Sequence, residues 1–392
     1  MNSVILNTKI QEFINEHLKS DISSLLLKGI SFSGVETKEI IEQIEAKKRS
    51  EKKLPSWFNC KNIYYPNKLN IEQTSSELTA KFKSELITGD SIIDLTGGFG
   101  VDCYYFSRRF KIVEHCEINK KLSDIAKHNF KQFKINHVET TSLNGIENLK
   151  TSNKHYDWIY IDPSRRHDTK GKVFLLNDCQ PNIPKHLDLL FKRSKNIMVK
   201  TSPLLDISNG VKELTHVKTI YVVAINNEVK ELLWILENKF EDDITIKTVN
   251  IKNEKAEHFT TSISYEKASD SEYHKPLSYL YEPNSAVLKA GAFNSISKKL
   301  NVYKLHKHSH LYTHKALVEF PGRRFKIEGI CPYNKKDLKK LAITKANITT
   351  RNFPETVQQI RKKHKIKDGG EDYLFFTTDM ENNRVVICTT KV

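Results

Sequence analysis

"IIDLTGGFGVD", residues 92–102, decides how this chain is read. An apolar run ends in Asp94, and Gly97, Gly98 and Gly100 follow before the next apolar stretch. A strand that runs through glycines into a helix lets the backbone approach a ligand at the carboxyl edge of a sheet. A dinucleotide fingerprint, G-x-G-x-x-G, would need its third glycine where Cys103 stands. No G-x-x-x-x-G-K-[ST] occurs either, so a P-loop is not expected.

What remains is Asp-x-x-x-Gly-x-Gly, a pattern suited to S-adenosylmethionine. Asp94 is expected to orient the amino-acid end of that cofactor, directly or through water, and Gly98 and Gly100 to let adenosine lie on the backbone. Roughly 20 residues further on, a strand should end in an acid that holds ribose hydroxyls. "KIVEHCEIN" supplies Glu117 there. Thr96, Gly97, Asp102 and Ile118 complete the expected cofactor site.

Outward from this loop, strand and helix signals alternate between residue 91 and about residue 250. Strands are predicted over 91–95, 111–117, 138–141, 158–162, 196–200, 219–225 and 245–251, with a helix over 120–133 among the helical stretches between the early ones. The fold class is α/β, a Rossmann-like seven-stranded, mainly parallel sheet with helices on both faces. Residues 4–50 read as helical. "QTSSELTAKFKSEL" carries a capping-box spacing, Thr74 to Glu77, with Leu78, Phe82 and Leu86 on the expected buried face. "KKRSEKK", 47–53, reads as a solvated helix end. Toward the C-terminus, helices are expected to start at Pro283 and near Pro354, with a turn at Gly369-Gly370 and paired strands over 373–378 and 384–390.

The second informative segment is "YDWIYIDPSRRHD", 156–168, a strand that ends in Asp162 and Pro163. The exocyclic amine of a base is a weak nucleophile because its lone pair is delocalised. A carboxylate and the carbonyl of a following proline can accept its two hydrogens and aim the lone pair at a methyl group. Ser164 replaces the second proline of the amino-methyltransferase pattern, and Arg165 stands where a base-stacking aromatic would be. Arg165 and Arg166 suit a phosphate or a base face, or else pair with Asp168, Asp178 or Glu228. Asp-Pro-Pro-Arg, which this segment matches except at Ser164, occurs in uracil-C5 methyltransferases, which need a cysteine nucleophile after the next strand. Thr201 occupies that place, and Cys179 lies in a different connection, so covalent chemistry is disfavoured.

Net charge is +16, and residues 301–392 hold 19 Lys and Arg against 9 Asp and Glu, so the C-terminal part suggests a polyanion. A merely lysine-rich composition is the bland alternative. Arg351, Arg361, Lys362 and Lys363 are candidate phosphate contacts on and beside one helix. The six cysteines form no C-x-x-C, which points to a reducing, cytoplasmic setting without disulfides or zinc. His306, His308 and His310 would share one strand face, read as basic rather than metal-binding. No membrane span or signal peptide is expected. Oligomeric state stays open.

Taken as a set, "QTSSELTAKFK", "DLTGGFGVD", "DPSRR", "NNEVKELLW", "YEPNSAVLKAGAF" and "ITKANITTRNFP" resemble bacterial class I S-adenosylmethionine-dependent methyltransferases with a C-terminal THUMP-like domain. The resemblance implies an N-terminal helical segment (1–60), a methyltransferase domain (61–255), a ferredoxin-like domain (256–318) and a THUMP-like domain (319–392). It also implies RNA, ribosomal or transfer, as substrate. The resulting expectation is N-methylation of a base amine held by Asp162 and Pro163, with Ser164 and the basic C-terminal residues on the RNA. A non-catalytic RNA-binding or ribosome-assembly protein and a DNA amino-methyltransferase are the alternatives.

Overall fold

The computed structural model describes residues 1–165, 175–253 and 255–392. It divides into two compact units, one of residues 1–216 with 234–240, the other of residues 217–233 with 241–392.

The first unit holds β1 (Ser91–Asp94), β2 (Ile112–Cys116), β3 (Val138–Thr141), β4 (Tyr156–Ile161), β5 (Ser164–Arg165), β6 (Cys179–Gln180) and β7 (Ser194–Thr201). Its sheet runs β3-β2-β1-β4-β7, every pair parallel. Parallel strands covered on both faces should read as unbroken apolar runs. Ile92-Ile93, Ile159-Tyr160-Ile161 and Ile197-Met198-Val199 are all fully buried and do so. Helices Val101–Phe106 and Lys120–Gln132 follow β1 and β2. The N-terminal helices share one core with them, from Ile5 and Ile40 through Trp57 to Phe106 and Phe130.

The second unit begins with β8 (Val217–Ile225) and β9 (Glu228–Glu237), whose last four residues belong to the first unit, then β10 (Thr245–Lys252) and β11 (Lys255–Ser262). β10 is parallel to β8 and antiparallel to β11. β9 and β11 were not among the expected strands. β12 (Tyr279–Pro283), β13 (Tyr303–Lys304), β14 (Tyr312–His314), β15 (Gly322–Pro332), β16 (Lys345–Arg351), β17 (Lys367–Thr378) and β18 (Arg384–Lys391) form one further sheet, ordered β13-β14-β12-β15-β18-β17-β16. The ferredoxin-like and THUMP-like stretches therefore share a single sheet.

Several local expectations are corrected. The helix Glu77–Leu86 is capped by Ser76, not Thr74, and Glu77 is buried, accepting from Ser56 and from the Tyr105 hydroxyl. Leu78 is half exposed while Lys83 is fully buried, because Lys83 pairs with Asp102 beneath the helix. The run 47–53 is packed rather than solvated at Lys47 and Ser50, and Lys53 donates to the carbonyls of Ile71 and Glu72. Pro283 ends β12, and the next helix starts at Ser285 under an Asn284 cap. Thr356, with Gln359, caps the helix Val357–His364 two residues beyond Pro354. Gly369 and Gly370 lie within β17, where φ values of 91° and 90° accompany a register shift. His306, His308 and His310 occupy the turn between β13 and β14, not a strand.

Candidate active site

Parallel packing brings the ends of β1, β2 and β4 to one edge of the first unit's sheet. After β1 the chain turns through the glycine loop. The Gly97 N–H donates to the Cys116 carbonyl at 2.8 Å, and a Cβ on Gly97 would stand 2.3 Å from the buried His115 ring. Gly98 has φ of 55°, and among the described residues only the Thr96 carbonyl comes within 4 Å on its Cβ side. Among the described residues, the loop is thus packed below and open above. Burial holds the His115 pKa below its ordinary value, and its Nε2–H donates to the Gly98 carbonyl at 3.2 Å.

Glu117 follows β2. Its carboxylate accepts from the Gly98 N–H (2.9 Å) and the Asn119 N–H (2.7 Å), so each oxygen keeps capacity for another donor. Ile118 and Leu143, past the ends of β2 and β3, are 70% and 52% exposed. Open glycine backbone, a partly satisfied carboxylate and bare apolar side chains fit an adenosine.

Asp94 is 1% exposed, and its oxygens are engaged by the Thr96 N–H (2.8 Å), the Thr96 hydroxyl (3.1 Å) and the Cys103 thiol (3.4 Å). It fixes the loop from beneath. Burial, reinforced by the Asp102 charge, pushes its pKa up to about 8. A raised carboxylate pKa contributes stability at low pH that is lost as pH climbs through the folded value. Asp94→Asn is therefore expected to gain melting temperature relative to wild type between about pH 5 and about pH 8.5. Parallel melting curves across that range would contradict this.

The Thr96 hydroxyl also accepts from the Asp162 N–H at 2.7 Å, so one side chain ties the glycine loop to the end of β4. Lys200, which the sequence reading missed, places Nζ 2.7 Å from Asp162 Oδ2. Its signal was a lone charge directly after the buried run 197–199, in the strand beside β4. Pro163 is buried and Ser164 exposed. Arg165 sits in β5, paired with Cys179 of β6, so Cys179 is a neighbour of this segment after all. Burial pushes the Cys179 thiol up to about 11, which keeps it a poor nucleophile. Thr201 is buried and accepts from the Trp234 indole at 3.0 Å. Arg166 lies outside the described residues.

Asp102 pairs with fully buried Lys83 at 3.1 Å and accepts from Ser75 (2.8 Å) and the Tyr160 hydroxyl (3.2 Å). Its position is that of a brace under the loop helix.

In the second unit, Arg351 and Arg323 both pair with Glu282, itself 4% exposed, and Arg361 pairs with Asp368 and donates to the Ala346 carbonyl. Lys363 bridges Glu355 and the Tyr333 hydroxyl, and Lys362 is exposed. Glu282→Gln is expected to cost about 1–3 kcal/mol, because the two cations it leaves, Arg323 and Arg351, are 39% and 37% exposed and stay partly hydrated, readable as a lower denaturation midpoint. An unshifted midpoint would count against it. Among the described residues, no group of three or more His, Cys, Asp or Glu is arranged to hold a metal ion, and no helix is long and apolar enough to cross a membrane.

The fold and this edge define the class, a Rossmann-like methyltransferase. Comparison then places the chain within it. Residues 322–391 match the family model described as THUMP domain-like, and residues 279–321 match one described as a ferredoxin-like domain. A crystal structure of a "putative methyltransferase" from Porphyromonas gingivalis W83 is 30% identical, covers 100% of this chain and 99% of its own, and superimposes with a TM-score of 0.88. An rRNA methylase from Streptococcus thermophilus is 14% identical over 41% of this chain and 93% of its own (TM-score 0.30). TrmK of M. capricolum in complex with S-adenosyl-homocysteine is 19% identical over 42% and 70% (TM-score 0.33). No curated protein matches. The P. gingivalis relative, similar from end to end, carries the assignment: the chain belongs to the class I S-adenosylmethionine-dependent methyltransferases with a C-terminal THUMP-like domain.

Proposed function

We propose that this enzyme methylates an exocyclic base amine in RNA, ribosomal or transfer, at the end of β4. The observation that carries the reading is the Thr96 hydroxyl shared between the Asp94 carboxylate and the Asp162 backbone N–H, which links the cofactor loop to the end of β4 that bears the acceptor carboxylate. S-adenosylmethionine supplies a methyl carbon on a sulfonium. Glu117 would hold its ribose hydroxyls, Gly97, Gly98 and Gly100 its adenosine, and Ile118 the base face. Asp162 and the Pro163 carbonyl accept the hydrogens of the target amine and turn its lone pair toward that carbon. The new nitrogen–carbon bond forms as the carbon–sulfur bond breaks, its electron pair staying on sulfur. The surplus amine proton passes to Asp162 and on to water.

RNA as the polymer is supported by the THUMP-like match and the basic C-terminal residues. Exposed Lys362, Lys365 and Lys367 suit phosphate contacts better than Arg351 and Arg361, which are committed to internal pairs. Lys362→Glu is accordingly expected to weaken RNA retention and flatten its salt dependence without lowering the melting temperature. Arg361→Ala is expected to lower the melting temperature first. The reverse pattern in filter binding and thermal melts would refute this division.

Titration calorimetry tests the cofactor half. Wild type is expected to bind S-adenosylmethionine, and Glu117→Ala to bind it roughly ten- to a hundredfold more weakly. Equal affinities would remove Glu117 from the site.

A further inference from the structure

We propose that His115 is a positioning residue of the cofactor site: from beneath the glycine loop it holds Gly98 so that the loop presents an N–H to Glu117 and fixes that carboxylate for the ribose. The inference rests on Glu117 as the ribose-holding residue and is independent of which acceptor atom is methylated.

The Glu117 N–H donates to the Thr141 carbonyl at 3.1 Å, so strand geometry runs one residue past β2. Residues two apart on a strand share a face. His115 and Glu117 accordingly meet the same residue of the loop. His115 Nε2 takes the Gly98 carbonyl at 3.2 Å, and Glu117 Oε2 takes the Gly98 N–H at 2.9 Å. Gly98 is thus gripped at both of its polar groups, in a backbone conformation, φ 55°, that a glycine can leave at little cost. Among the described residues, Glu117 has one other donor, the Asn119 N–H on Oε1. A Gly98 that turned away would leave the carboxylate with that single anchor.

The nature of the ring points the same way. His115 is fully buried, stands edge-on to Phe130 with ring centroids 5.9 Å apart, and fits because position 97 carries no Cβ. A carbonyl only accepts, so Nε2 carries the hydrogen. Burial favours the neutral ring, which leaves Nδ1 a bare lone pair, and Nδ1 has no partner among the described residues. Burying an unsatisfied nitrogen costs free energy that an apolar side chain of similar volume would not. What the imidazole adds at this spot is the N–H aimed at Gly98.

Titration calorimetry with S-adenosylmethionine on the full-length enzyme tests this as a double-mutant cycle. His115→Met, which fills the space without the donor, is expected to bind about tenfold more weakly than wild type. In a Glu117→Ala background the same change should cost less than about twofold, because the carboxylate it positions is gone. His115→Gln, whose amide nitrogen reaches the place of Nε2, is expected to stay within about threefold of wild type. His115→Asn, whose amide corresponds to Nδ1, should bind as weakly as His115→Met. An equal loss in both backgrounds would mark a ring that only packs the loop, and overturns the proposal. So does a folded His115→Met with wild-type affinity. Equal affinities of His115→Gln and His115→Asn overturn it too, a comparison that stands even if His115→Met fails to fold. If Glu117→Ala alone binds like wild type, the ribose assignment fails, and this inference with it.

Discussion

Asp162→Ala is expected to lower methyl transfer by a hundredfold or more while leaving S-adenosylmethionine affinity within roughly twofold. The split follows from the connections of Asp162. Its backbone N–H, which alanine retains, makes the bond to Thr96 that meets the glycine loop. Its carboxylate points elsewhere, to Lys200 on the neighbouring strand. Removing the carboxylate strips the acceptor for the amine hydrogens and leaves the adenosine-binding edge intact. Asp162→Asn, which keeps shape and one carbonyl acceptor, should fall between the two. Labelled-methyl transfer to RNA, read with calorimetry on the same preparations, checks both halves. Equal turnover in Asp162→Ala would remove this residue from the chemistry, and lost cofactor affinity would reassign it to the cofactor site.

The largest stability effect is expected at Lys83. This side chain is fully buried, its ammonium 3.1 Å from Asp102 and 2.9 Å from the Ser75 hydroxyl, with the Tyr160 ring 5.8 Å away. Truncating one partner of a buried pair strands the other charge, at a cost of about 3–5 kcal/mol. Lys83→Ala should therefore drop the denaturation midpoint sharply. Lys83→Met combined with Asp102→Asn should recover most of the loss, because the stranded charge is then gone. A double variant as unstable as Lys83→Ala would show that packing, not the uncompensated carboxylate, sets the cost. Since Asp102 lies in the first turn after the glycine loop, the single variant should also weaken cofactor binding.

These two positions show what the sequence could reveal and what it could not. Asp162 was legible because an apolar run that stops at a carboxylate marks the open end of a buried parallel strand. Asp94 was legible for the same reason, and Glu117 from its place roughly 20 residues beyond the glycine loop. Register then aligns their strand ends, Asp94 beside Tyr160 and His115. Lys83 was illegible. Helical periodicity assigns the inner face to Leu78, Phe82 and Leu86, and only a partner 19 residues away in sequence, Asp102, turns the lysine inward. Lys200 needed the pairing of β4 with β7 before its charge could be placed. β9 could have been found. Asn226 and Asn227, at φ 49° and 64°, form the two-residue turn that returns the chain after β8, and asparagine pairs favour that conformation. Charge counting alone could not show that Arg351 pairs with Glu282 and Arg361 with Asp368, since a count does not distinguish a paired cation from one that faces solvent alone.

On the proposed reading, this chain moves a methyl group from S-adenosylmethionine to a base amine of RNA through Asp162. Mass spectrometry of nucleosides from RNA of a strain lacking the gene, complemented with wild type or Asp162→Ala, tests it most directly. One N-methylated nucleoside should be missing from the deletion strain, return with wild type, and stay missing with the variant. An unchanged inventory of modified nucleosides across all the strains would contradict the claim.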